Sequence, residues 1–114
     1  IQVPDGMKMQ QAIGDLNTWQ SRAGEVSSLL KSMGNERRLL ILCQLAANGE
    51  MSVGALVDAA DLSQSALSQH LAKMREEGAV AARRDGQTVW YRIADERIKD
   101  LMATIYQLYC EAKP

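Results

Sequence analysis

In residues 61–93, helix caps, apolar periodicity and turn residues follow one another in the order that predicts a helix-turn-helix followed by a β-hairpin. Ser63 is a favourable helix N-cap, and the apolar residues that follow it recur three and four positions apart. These apolar residues are Ala66, Leu67, Leu71 and Met74. A shorter helical segment with its own cap, Ser52, lies just before, and Asp61 and Leu62 leave room only for a tight turn. The pattern predicts two short helices, the second with one apolar face.

The other face of the second helix carries short polar side chains in its first two turns, followed by a lysine. The set consists of Ser63, Gln64, Ser65, Ser68, Gln69, His70 and Lys73. The N-terminal residues of a recognition helix contact base edges in the major groove, where Gln pairs with adenine and Ser bonds to donors or acceptors. For His70, packing or a phosphate contact is expected. The set predicts a helix that binds double-stranded DNA, and the alternative is a solvated helix surface.

The period of the apolar residues changes from helical to alternating after Gly78, which suits a helix C-cap. Asp85-Gly86 separates the alternating residues 80–82 from the alternating residues 89–93. An Asp-Gly pair in this position is a strong hairpin signal, because both residues tolerate the positive φ of a tight turn. Polar residues beside the predicted tip are expected to contact phosphates or a narrow minor groove. They are Arg83, Arg84, Gln87 and Thr88.

Three further helices are predicted outside this stretch. Residues 10–33 have an apolar stripe at helical spacing, residues 36–47 follow the cap Asn35, and residues 96 to about 112 follow the cap Asp95. The apolar face of the helix at residues 36–47 is expected to include Leu39, Leu40, Leu42, Cys43 and Ala46. The predicted order is α-α-α-α-β-β-α, a mainly α winged helix-turn-helix with a small β-wing. With 114 residues the chain fits one domain, at residues 10–114, after a disordered N-terminal segment at residues 1–9.

The first and last helices carry more apolar surface than one core of this size can cover. We therefore predict a homodimer that packs through these two helices. Trp19, Tyr106 and Tyr109 are expected to pack at that interface, although Tyr106 also shares a helix face with Cys110.

A formal net charge of −1 argues against a generally basic nucleic-acid binder. Positive charge is instead concentrated in one segment, because residues 63–92 contain five Lys or Arg and three Asp or Glu. A dimer doubles this modest basic patch. The sequence contains no apolar segment of the roughly 18 residues that a membrane span needs and no signal peptide, so we expect a cytoplasmic protein without a membrane partner.

Three segments and the predicted wing resemble the ArsR/SmtB family of dimeric winged-helix transcription regulators, over nearly the whole chain. The segments are LKSMGNERRLLIL from Leu30, MSVGAL from Met51 and LSQSALSQHL from Leu62. The resemblance implies a homodimer that binds an imperfect inverted repeat upstream of its target genes and loses DNA affinity when an inducer binds. It implies a regulator and not an enzyme.

Metal-sensing members of this family carry Cys-x-Cys in the third helix or an Asp/His/His/Glu set in the last helix, since Zn²⁺ or As(III) needs three or four close ligands. This sequence has neither motif, and its single histidine, His70, lies on the predicted recognition helix. We expect no metal and no other cofactor.

Cys43 in the second helix and Cys110 near the end of the last resemble the cysteine pair of the sulfide-responsive SqrR/BigR branch, and equally that of the HlyU type. The resemblance implies that low-molecular-weight persulfides or oxidants join the two sulfurs and release the DNA. A second thiol makes such a switch reversible, because it captures the labile S–S bond left on the first. A direct disulfide needs Cα atoms within roughly 7 Å, whereas inserted sulfur atoms span more. The alternative is that each cysteine only fills an apolar position.

Several functional alternatives remain open at this level. The regulator could be a repressor, or an activator that displaces a silencing protein. A thiol-based redox enzyme would use the same cysteines, but the sequence has no Cys-x-x-Cys and no paired base. A dimeric interaction module would not bind DNA at all.

Overall fold

The computed structural model describes residues 13–111, and the segment predicted to be disordered, residues 1–9, lies outside them. The helices are α1 (Leu16–Met33), α2 (Glu36–Asn48), α3 (Val53–Ala60), α4 (Gln64–Glu76) and α5 (Glu96–Tyr109). The strands are β1 (Met51–Ser52), β2 (Val80–Asp85) and β3 (Thr88–Ile93). The predicted mainly α winged helix-turn-helix is confirmed, with the short strand β1 added between α2 and α3.

Polar side chains begin the helices where the sequence places them. The Asn35 side chain accepts hydrogen bonds from the N–H groups of Arg37 and Arg38, and Ser63 accepts one from Ala66. Ser52 caps α3 and Asp95 caps α5 in the same way. Each cap satisfies donors that the first turn of a helix cannot pair internally. The four predicted caps are confirmed.

The first helix is shorter than predicted. Gly14 has φ +79°, and the Asp15 side chain caps a helix that begins at Leu16. The left-handed backbone at Gly14 and the competing cap end any continuous helix there, so the prediction of one helix from residue 10 was wrong. Residues 10–12 lie outside the described part. The last helix ends at Tyr109, with Cys110 as its C-cap.

The sheet has the order β1-β3-β2, with both outer strands antiparallel to β3. Asp85 pairs with Thr88, so the hairpin loop is Gly86-Gln87, one residue later than predicted. Gly86 has φ +64° at the first loop position, where a type II′ turn needs a positive φ and therefore favours glycine. The wing is thus a tight two-residue hairpin.

The core lies between α2, α3, α4 and the inner face of the sheet, which also covers the start of α5. It is built from buried apolar side chains. They include Ile41, Leu42, Leu45, Leu56, Leu67, Leu71, Met74, Val80, Ile93 and Ile98. The described helices include none with the length and apolar character needed to cross a bilayer.

The buried face of α2 differs from the predicted one. We expected Leu39, Leu40, Leu42, Cys43 and Ala46 to form it. The structure buries Leu42 as expected, but its buried neighbours are Ile41 and Leu45, and Leu40 and Cys43 are exposed. Because apolar residues surround most of this helix, its periodicity could not decide which side meets the core.

Two polar networks fix the helices to one another. The Ser32 hydroxyl donates to Glu77 Oε1 at 2.6 Å, and Arg38 Nη1 lies 3.5 Å from the same oxygen. This network joins α1, α2 and the end of α4. Arg97 binds both Asp95 and Glu25, at 2.9 and 2.8 Å, and so joins α5 to α1. The Arg97 pairs are exposed and contribute little individually, whereas the Glu77 network is largely buried.

Replacing Leu67 by Ala is expected to lower the free energy of unfolding by about 2–5 kcal/mol, because the side chain is completely buried and its removal leaves a cavity. Gln69→Ala on the exposed face of the same helix is the control and is expected to change stability by at most about 0.5 kcal/mol. Urea unfolding at one fixed protein concentration measures both. Equal losses in the two variants would contradict the placement of Leu67 in the core.

Candidate DNA interface and dithiol site

Helix α4 presents the predicted polar face to solvent. The exposed side chains on this face are Gln64, Ser65, Ser68, Gln69 and Lys73. Ser63 is exposed at the cap, and His70 is half-buried. In residues 13–111, none of the five exposed side chains makes a hydrogen bond or ion pair with another part of the chain. Their donors and acceptors are therefore available to a partner.

The opposite face of α4 holds this arrangement in place. Leu67, Leu71 and Met74 are buried, and the chain reaches α4 through Asp61, whose backbone is left-handed at φ +53°. Rotating the helix to turn the polar face inward would expose three large apolar side chains, each worth about 1.5–3 kcal/mol when buried. The orientation of the candidate base-contacting side chains follows from the core.

The two wing arginines lie on opposite faces of the hairpin, because successive residues of a strand alternate. Arg84 shares the inner face with Val80, the face that packs on the core with α4. Arg83 lies on the outer face, opposite Trp90. Gln87 and Thr88 are exposed at the tip. The structure therefore places Arg84 on the same side of the hairpin as α4, and it places Thr88 on the outer face with Arg83 and Trp90.

Arg83 is already bound within the protein. Its Nε and Nη2 groups donate to the two carboxylate oxygens of Glu50 at 2.8 and 2.7 Å, and its Cζ lies 5.6 Å from the centre of the Trp90 ring. The hydrogen bond to Arg83 lowers the pKa of Glu50, and the same bond raises the pKa of Arg83. Sequence analysis missed Glu50, since nothing in the local pattern links residues 33 positions apart.

Cys43 and Cys110 line one cavity of about 100 Å³ between α2 and α5. Both cysteines are free thiols. The rest of the lining is apolar or aromatic and consists of Leu39, Met102, Ile105 and Tyr106. The structure thus brings together two residues that are 67 positions apart in the sequence, and it confirms that Tyr106 shares the face of Cys110. Met102 and Ile105 were missed, although their helical spacing to Cys110 is a usable signal.

The apolar lining changes the acidity of the site. Although Cys43 is exposed on one side, partial desolvation against this lining raises the pKa of its thiol, and the nearby Cys110 sulfur raises it further, because two neighbouring thiolates repel each other. At neutral pH, Cys43 is therefore held mainly in the thiol form. In residues 13–111, no group of three or more His, Cys, Asp or Glu side chains could hold a metal ion.

A large apolar surface remains open on α1 and α5. Its exposed members are Leu16, Trp19, Leu30, Tyr106, Leu108 and Tyr109. The Trp19 indole N–H donates to the Ile13 carbonyl at 2.7 Å, which fixes the ring at the start of α1. Exposed apolar side chains in such numbers are typical of interaction sites on proteins in water. They lie on the two helices for which a dimer contact is predicted, and that contact stays a prediction.

Comparison with known proteins agrees with this geometry. The family model described as bacterial regulatory protein, arsR family, matches residues 35–82. The transcriptional activator HlyU of Vibrio cholerae is 45% identical over 98 residues, which span 86% of this chain and 90% of HlyU. The proteins that this chain resembles are transcription regulators and not enzymes. This confirms the sequence-based expectation of a regulator.

Solved structures show the same likeness. Reduced HlyU from Vibrio cholerae has a TM-score of 0.76 at 45% identity and covers 82% of this chain and 98% of that one. The crystal structure of the transcriptional repressor BigR from Xylella fastidiosa has a TM-score of 0.79 at 33% identity. That match covers 87% of this chain and 100% of BigR.

The rate of Cys43 alkylation is expected to keep rising with pH beyond the ordinary thiol pKa of 9.0, because burial disfavours the thiolate. In Cys110→Ser protein, iodoacetamide labelling followed by mass spectrometry reports Cys43 alone. The pH at which the alkylation rate reaches half its maximum should be higher in this folded variant than in the same variant unfolded in urea. It should be lower than the corresponding pH for Cys43 in the wild type, where the second thiolate adds repulsion. A folded midpoint at or below the unfolded one would contradict the burial effect.

Proposed function

The chain belongs to the ArsR family of bacterial regulatory proteins and is a transcription regulator, and from this premise we propose that the Cys43–Cys110 pair controls its binding to an inverted-repeat operator. The observation that carries the proposal is the single cavity that both sulfurs line, one from α2 and one from α5. The reduced protein binds DNA, and the bridged protein releases it.

Operator binding uses the exposed face of α4. In a homodimer the two recognition helices enter successive major grooves about 34 Å apart, with the polar residues of α4 at the bases and the wing at flanking phosphates. Arg84, Gln87 and Thr88 supply the wing contacts. The modest excess of cations in residues 63–92 is unchanged by ion pairs with residues outside this range, because Arg38 neutralises Glu77 and Glu50 neutralises Arg83.

The apolar surface of α1 and α5 supports the proposed dimer. Burying Trp19, Leu16 and Tyr109 against a second copy removes from water three of the large apolar side chains that the described chain exposes. A symmetric interface of this kind presents the same surface on both copies. It places two identical DNA-contacting faces in one particle, as an inverted repeat requires.

The thiol chemistry is written for a small persulfide, RSSH. A cysteine thiolate attacks its outer sulfur and takes it, so that RSH leaves and a protein persulfide remains. The second cysteine attacks that persulfide and expels H₂S, which leaves a disulfide between Cys43 and Cys110. If both cysteines carry an extra sulfur, loss of one H₂S leaves a trisulfide. The persulfide is reduced in each case, and the protein sulfurs are oxidised.

A bridge between these cysteines joins α2 to α5. Helix α2 contributes to the core beside α3 and α4, and α5 carries the proposed dimer surface. Displacing one relative to the other misaligns the two recognition helices. A 100-fold loss of DNA affinity corresponds to about 2.7 kcal/mol of coupling, a modest demand on a covalent crosslink.

We propose that the protein is a cytoplasmic repressor that acts by covering a promoter. The same DNA contacts would also suit the alternative, an activator that displaces a silencing protein. Among its relatives, HlyU is described as an activator and BigR as a repressor. The DNA-binding and thiol arrangements are common to both alternatives.

Treating the reduced protein with a persulfide donor is expected to weaken operator binding about 100-fold, and a reductant should restore it. Cys43→Ser and Cys110→Ser proteins should keep full affinity under both conditions, because neither can form the bridge. Gel-shift titration gives the affinities, and intact-mass spectrometry counts the sulfur atoms added. Equal affinities of the reduced and bridged wild-type protein would refute the switch.

Replacing Arg84 by Ala is expected to weaken operator binding and to make its dependence on log[salt] shallower by about 0.9 for each phosphate that the side chain no longer binds. Arg92→Ala removes a cation from the outer face of the same hairpin and serves as the matched control, with a smaller expected effect. Fluorescence anisotropy at several salt concentrations measures both slopes. A wild-type protein that bound no duplex would favour a dimeric interaction module.

A further inference from the structure

The contact between Glu50, Arg83 and Trp90 is not used by the mechanism above. Glu50 lies immediately before β1, Arg83 lies in β2, and these strands form the opposite edges of the sheet. Ser52, Trp90 and Arg83 are aligned across the three strands. The Arg83 side chain therefore lies across the outer face of the sheet, over the Trp90 ring, to reach Glu50.

We propose that Glu50 determines specificity by occupying the wing arginine, Arg83, and thereby lowering affinity for non-operator DNA. The inference rests on the proposed DNA-binding function. Several residues favour DNA binding, and in this inference Glu50 opposes it.

The geometry of the pair supports this role. A guanidinium group has five N–H donors, and Glu50 takes up two of them in a bidentate contact, the strongest form of ion pair. Stacking on Trp90 adds a cation–π contact that holds the group against the sheet. An arginine held in this way is not extended toward the hairpin tip.

The charges around the pair balance. Arg83 faces Glu50 and, at longer range, Asp85, while Glu50 also attracts Arg92. Two cations and two anions thus occupy this face of the hairpin. Because Arg83 lowers the pKa of Glu50, the carboxylate stays ionised at neutral pH. The outer face of the wing therefore has little net attraction for phosphate.

The loss of DNA affinity that Glu50 causes by neutralising Arg83 is expected to differ between operator and random DNA. A phosphate that approaches Arg83 must also approach the Glu50 carboxylate and either displace it or be repelled. Non-specific binding depends on phosphate contacts alone and can use any cation within reach, whereas the base contacts of α4 fix the register of the operator complex. In the proposed operator complex the wing contacts come from other residues, so neutralising Arg83 weakens the non-specific complex more and increases discrimination.

Glu50→Gln tests the proposal in the full chain. The variant should bind random duplex several-fold more tightly near 0.1 M salt, with a log[salt] slope steeper by about 0.9 per protomer. Its affinity for the operator should change less. Glu50→Ala should change affinity in the same direction, which covers the case in which glutamine still holds the guanidinium.

Two controls separate this effect from net charge. Glu96→Gln removes the acid of the Lys99–Glu96 pair on α5 and adds the same charge away from the wing. It should leave the slope unchanged. The double variant Glu50→Gln with Arg83→Gln carries the wild-type net charge and should return the slope to the wild-type value.

An unchanged slope in Glu50→Gln, or an equal increase in Glu96→Gln, overturns the role of Glu50 while leaving the proposed function intact. If the reduced wild-type protein binds no duplex, the proposed function and this inference fail together. A larger gain for the operator than for random duplex also overturns the inference, because Glu50 would then limit affinity and not specificity.

Discussion

The burial of one face of α4 against the core is the constraint on which the rest of this molecule depends. Leu67, Leu71 and Met74 are removed from water, so the polar side chains on the other face have a fixed direction. At the end of the helix, Glu77 is held by Ser32 of α1 and Arg38 of α2. A base-contacting surface must be rigid, because hydrogen bonds to base edges tolerate little displacement. Here the rigidity comes from apolar packing and one shared carboxylate.

Helix α2 connects the two sites that sequence analysis treated separately. It contributes Ile41, Leu42 and Leu45 to the core and carries Cys43 on another side. It ends at Gly49, whose φ of +81° turns the chain into Glu50 and β1. Cys43 of the thiol cavity therefore lies in α2, and Glu50 of the wing ion pair follows the C-cap of the same helix.

The charge distribution explains how a chain of net charge −1 can bind DNA. Some of its acidic side chains are paired with arginines, as at Glu77, Glu50 and Glu25. The exposed cations near the proposed base-contacting face include Lys73 of α4 and Arg84 of the wing. Since exposed charges are screened beyond about 8–10 Å, the local arrangement matters more than the total.

Local sequence rules were sufficient for four helix caps, for the order of helices and wing, and for the polar face of α4. The resemblance to known regulators singled out the two cysteines, and their role as a switch stays a prediction. Contacts between distant segments, such as Glu50 with Arg83 or Glu77 with Ser32 and Arg38, were beyond local sequence rules. The prediction of the buried face of α2 was wrong, since the apolar residues of this helix allow more than one choice. These points depend on tertiary packing, which selects among faces and partners that the local pattern leaves equivalent.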